Sequence, residues 1–90
     1  MNIAKDDVIV VDDNGDIGFD RPVQQIPTNV LQEVIKEWTQ SKLELLGEET
    51  YQNNPLDFKS YIDSINKVIS DSQNVIDSRQ INNYRNNFIS

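Results

Sequence analysis

Hydrophobic residues along this chain follow three spacings in succession. Val8-Ile9-Val10-Val11 and Ile17-Gly18-Phe19 are short runs on either side of Asp12-Asp13-Asn14-Gly15-Asp16, a tract dense in turn formers. From Val30 the spacing changes to steps of three and four: Val30, Leu31, Val34, Ile35, Trp38, Leu45 and Leu46. From Phe58 it tightens to an alternation of four and three through Phe58, Ile62, Ile65, Ile69, Ser72 and Ile76. The first spacing predicts a β-hairpin and the other two predict amphipathic helices. The expected fold is therefore mainly α with a small N-terminal β-hairpin, an α+β arrangement.

The hairpin has two candidate registers. A two-residue Asn14-Gly15 turn sets Ile17 against Asp12. A three-residue loop, Asp13-Asn14-Gly15 with Gly15 left-handed, pairs Asp12 with Asp16, Val11 with Ile17 and Ile9 with Phe19. The longer loop gathers four apolar side chains on one face and puts Val8, Val10, Gly18 and Asp20 on the other, and strand alternation makes that assignment decide burial. It is the favoured register. A lone hairpin is marginal in water, so this one requires a surface to pack on.

Pro22 and Pro27 bracket a connector in which Ile26 is held extended by the proline after it. A helix is expected over 28–46, with Asn29 and Gln32 in capping-box spacing and Gly47 as its C-terminal cap. Glu48 to Asn54 reads as a polar loop. Asn54-Pro55 restarts a helix, with Asn54 as N-cap and Asp57 complementing the dipole. Tyr61 and Val68 widen its apolar face, Ser72 is a polar layer in it, and Asp63 and Lys67 are spaced as an ion pair. The seam suits docking on the first helix or association with another one. Past Ile76 the apolar positions Ile81, Tyr84 and Phe88 lie about a quarter to a third of a turn away from it. Residues 55–89 are thus either two helices broken near 78 or one helix about 50 Å long with a second face.

Composition narrows the function. The 90 residues carry a formal charge of −7 and contain neither histidine nor cysteine. That excludes the usual zinc sites, thiol nucleophiles, disulfides and Ser-His or Cys-His couples. Three unrelated glycines make no phosphate-cradling loop, and adjacent acids such as Asp6-Asp7 and Glu48-Glu49 sit in tails and loops without an evident pocket. No enzyme activity and no cofactor are expected. The Asp-rich turn does not fit a helix-flanked calcium loop: with Gly15 at the sixth position, Val10 falls first and Arg21 last, where acids are needed. It reads as a solvated turn.

The charge is lopsided. Residues 1–20 hold six Asp against Lys5, whereas residues 21–90 hold nine acids against seven bases. Lys and Arg never cluster, which argues against direct nucleic-acid binding. No apolar run approaches a membrane span and no signal peptide is recognised, so a cytoplasmic (host-cell) or virion location is expected.

One domain, 1–90, is expected, comprising an acidic hairpin (1–20), a first helix (28–46) and the helical remainder (55–89). Its expected role is non-enzymatic protein–protein interaction or structural assembly, of the kind a small phage or mobile-element protein performs in a larger complex. The candidate partner-binding residues are Ile65, Ile69, Ile76, Ile81, Tyr84, Phe88 and Ile89, through which the chain meets a protein partner or a second copy. The alternative is an acidic inhibitor that occupies the nucleic-acid-binding surface of a target enzyme.

Overall fold

The computed structural model describes the backbone of residues 7–89 and the side chains of residues 7–81. The chain forms a hairpin of β1 (Ile9–Val11) and β2 (Ile17–Phe19), then α1 (Thr28–Leu46), a short α2 (Glu49–Asn53) and a long α3 (Lys59–Ile89). Single 3-10 turns at Val23–Gln25 and Pro55–Phe58 precede α1 and α3.

The hairpin adopts the three-residue-loop register, with Ile9 opposite Phe19 and Val11 opposite Ile17. Four local bonds close the turn. The Asp12 and Gly15 amides donate to the Asp16 and Asp12 carbonyls at 2.9 and 3.0 Å. The Asp12 carboxylate accepts the Asn14 and Asp16 amides at 2.8 and 3.0 Å. Gly15 sits at φ 85°, the left-handed conformation that this loop requires.

The expected faces need two corrections. Val11 shares a face with Ile17 yet is 66% exposed, because α3 lies against β2 and β1 is the outer strand. Val8, assigned to the outer face, is fully buried. It precedes the regular strand in a bend, and alternation does not govern it there.

α1 occupies the expected span, but its ends are made differently. The Val30 and Leu31 amides donate to the Pro27 carbonyl, the first of the helix, and no side chain caps the helix. Gly47 closes the other end in a right-handed conformation, φ −85°, and is not left-handed. Burial along α1 is graded. Val30, Leu31 and Val34 are buried, Ile35, Trp38 and Leu45 are half-buried, and Leu46 and Leu43 are exposed.

The expected polar loop contains α2, one and a half turns of helix that bring Tyr51 against Phe58 with ring centroids 6.0 Å apart. α3 does not break near 78. Nothing between Asp77 and Gln80 interrupts a helix, as there is no proline or glycine there, so the shift in apolar spacing moves the face and leaves the backbone continuous. Its 31 residues span about 46 Å, against about 28 Å for the 19 of α1. Asp63 pairs with Lys59 at 2.8 Å, one turn before it, and not with Lys67. Both groups are largely exposed, and the pair contributes little.

The helices run antiparallel. Arg79 of α3 reaches Thr28 at the start of α1, and Lys42 near the end of α1 bonds Asn66. One core joins the hairpin, the connector and the two long helices: Val8 and Ile17 from the hairpin, Ile26 from the connector, Val30, Leu31 and Val34 from α1, and Ile65, Val68 and Ile76 from α3. Ser72 is fully buried among them, and its hydroxyl donates to the Val68 carbonyl at 2.8 Å. The expected polar layer is therefore satisfied within its own helix.

Two glycine substitutions should act in opposite directions. Gly15→Ala is expected to destabilise by about 1 kcal/mol through its positive φ. Gly47→Ala should stabilise by about 0.5 kcal/mol, since the new Cβ meets only the Glu44 and Leu43 carbonyls at 3.6 and 3.8 Å. Leu31→Ala, at a fully buried site, should cost about 2–5 kcal/mol. Urea titrations followed by helical circular dichroism measure all three.

Candidate functional site

The expected partner-facing residues divide sharply. Ile65 and Ile76 are buried in the core, and Ile69 is partly buried against it. The α1 helix and the hairpin cover the seam that carries them. Ile81 is 54% exposed. It lies five residues beyond the buried Ile76, which at about 100° per residue sets it about 140° round the helix, off the buried stripe. The side chains of Tyr84, Phe88 and Ile89 lie outside the described residues.

Arg79 marks where the covered part of α3 ends. Its guanidinium donates from Nη1 to Thr28 Oγ1 at 2.8 Å and from Nη2 to the Gln24 carbonyl at 3.0 Å. One side chain thus ties α3 to the first residue of α1 and to the turn before it. Beyond this clamp α3 continues for ten residues, about 15 Å. An open recess of about 350 Å³ lies beside the clamp, lined by Gln24, Asn74, Val75, Ser78 and Arg79. Arg79 was not singled out by the sequence, because a lone arginine in an Asn-rich helix has no pattern to mark it.

At the other end of α3 two serines hold the hairpin. Ser64 Oγ accepts the Ile17 amide at 3.1 Å and donates to the Tyr61 carbonyl at 2.6 Å. Ser60 Oγ donates to the Asp16 carboxylate at 2.7 Å. Ser60 and Ser64 are four apart and so share a helix face, which was the only available signal. These bonds place β2 next to α3 and leave β1 as the outer strand.

The Asp-rich turn is a folding element. Asp12 is used by the turn amides and Asp16 by Ser60. Asp20 forms a two-point contact with Arg21, at 2.7 and 2.9 Å. Among the described residues no three acidic side chains are grouped to hold a metal ion. The hydrogen bond from Arg21 holds the Asp20 carboxyl below its ordinary value, and the same bond raises Arg21. A depressed acid favours the folded state above its unfolded pKa and loses that effect as pH falls through its folded value. The pair therefore acts at neutral pH and fades as pH falls below the ordinary carboxylate range, and its partial exposure leaves it screened by salt.

Among the described residues, the other exposed large apolar side chains are Val10 and Val11 on β1, Leu43 and Leu46 late in α1, and Leu56 in the turn before α3. Among the described residues no helix is long and apolar enough to cross a membrane. Comparison with protein-family models, curated proteins and solved structures finds no match to this chain.

Arg79→Met keeps the apolar stem and removes both hydrogen bonds. It should lower stability by about 1 kcal/mol and speed amide exchange at Ile26, whose segment the guanidinium holds. Unchanged exchange there would show that the clamp holds nothing.

Proposed function

We propose that this protein is a non-enzymatic binding subunit that docks into a larger protein assembly through the part of α3 beyond Arg79. The observation that carries the reading is the mismatch between the helices. α1 begins level with Arg79, whereas α3 goes on for ten more residues and turns Ile81 away from the core. An exposed Ile at the root of a projecting helix suits a helix-in-groove or helix-to-helix contact, with anchors at three- and four-residue steps. In the sequence, Ile81 is followed at such steps by Tyr84 and Phe88. The small size and the lack of His and Cys fit a structural role better than a catalytic one. A component of a phage or mobile-element assembly is the setting that these features suit best.

Size-exclusion chromatography with light scattering tests the reading. The wild type is expected to exceed its 10.4 kDa monomer mass at high concentration, with little sensitivity to salt. Ile81→Asp should return it to monomer with its helical circular dichroism intact, whereas Leu56→Asp, 83% exposed on a distant turn, should change nothing. A monomer that Ile81→Asp leaves unchanged overturns this proposal. If such a monomer instead binds a basic enzyme with an affinity that falls as salt rises, the acidic-inhibitor role takes its place.

A further inference from the structure

The hairpin carries a second surface that the α3 reading does not use. In an antiparallel pair, hydrogen-bonded and non-hydrogen-bonded residue pairs alternate. The Asp20 amide bonds the Val8 carbonyl at 2.9 Å and the Asp12 amide bonds the Asp16 carbonyl at 2.9 Å. Ile9–Phe19 and Val11–Ile17 are therefore the non-hydrogen-bonded pairs, and their backbone groups point away from the partner strand. On β2 this outward direction leads to α3, where the Ile17 amide meets Ser64. On β1 it leads outward from the sheet. Ile9 and Val11 there present two N–H donors and two carbonyl acceptors that bond no described residue, spaced as a neighbouring strand requires.

The side chains beside this edge are unusual for an unpaired strand. Val10 and Val11 are 48% and 66% exposed, and as sequence neighbours they stand on opposite faces of the sheet. The charges around them choose the occupant. Asp12 and Asp13 are exposed at the end of β1, and residues 1–20 carry six of the fifteen acids with one lysine. A second copy brings the same negative edge and is repelled. A segment with lysine or arginine is attracted, and the chain itself has no basic cluster to supply one.

We propose that β1 is a docking edge for an extended segment of a partner protein in which basic and apolar residues alternate, and that this segment adds to the hairpin as a third strand. Main-chain bonds to Ile9 and Val11 supply the pairing. Val10 and Val11 offer apolar contact on either face, and the surrounding aspartates select for positive charge.

The test uses Ile81→Asp protein, so that association through α3 does not interfere, and a blocked heptapeptide of alternating lysine and valine. A second peptide of the same sequence carries N-methyl groups on the amides of one edge, and a third carries them on the other edge. Fluorescence anisotropy is expected to show binding at low salt that weakens roughly ten-fold or more at high salt. One N-methylated peptide should lose binding and the other keep it, since a strand pairs through only one of its edges. Amide exchange at Ile9 and Val11 should slow on binding while that of α3 stays unchanged. Val11→Pro removes one outward N–H without touching the ladder to β2, so it should fold normally and bind at least about ten-fold more weakly. Absence of binding, equal binding by both N-methylated peptides, or protection that appears only on α3 overturns the proposal. Concentration-dependent protection of Ile9 and Val11 without peptide overturns the choice of occupant in favour of a second copy.

Discussion

The fold rests on one stripe of α3, from Tyr61 to Arg79. The other parts of the core all meet this helix: α1, β2 and the turn before α1 pack against it. The hairpin contributes Val8 and Ile17, the connector Ile26, and α1 its first two turns, all to the core built on Ile65, Val68 and Ile76. A chain of this length has one chance to bury a core, and a single long helix supplies a shared wall for three short pieces. The polar groups on that wall follow the same logic. Ser72 is satisfied inside the helix, Ser64 completes the edge of β2, and Arg79 secures the connector. Among the described residues no buried side-chain nitrogen or oxygen lacks a partner.

This arrangement divides α3 in two. Its first two thirds face inward and hold the domain together. The last part passes the clamp at Arg79, and its exposed Ile81 belongs to a different face. The seam with coiled-coil spacing is thus an internal device, although the same spacing serves equally well for pairing with another chain. Periodicity measures how well a helix packs and does not say on what. Here the seam packs within the chain at Ile65 and Ile76, and Ile69 is partly buried beside them.

Much of the architecture was legible because local chemistry and global packing agree. The hairpin register followed from Gly15 and the alternation around it, and the span of α1 from Pro27 and Gly47. What was not legible depended on tertiary contact. Val8 is buried because the chain bends before β1, a change that no period-two pattern records. The continuity of α3 near 78 was obscured by a change of face that resembles a boundary in sequence. Asp63 had lysines at equal spacing on both sides, and only the folded geometry chose Lys59. In the candidate site, Ile81 was legible as an apolar position off the seam. Arg79 was not, since its two acceptors lie 51 and 55 residues away in the chain.

The separation between the hairpin and its platform also has a consequence for synthesis. The bonds from Ile17 to Ser64 and from Asp16 to Ser60 join residues 47 and 44 positions apart. On the ribosome, the hairpin emerges several seconds before its platform, given elongation at about 5–20 residues per second. In that interval it is a marginal two-stranded unit with a valine-rich strand, the kind of segment that recruits neighbouring chains on a polysome. The aspartates clustered in the same twenty residues keep nascent copies apart by mutual repulsion.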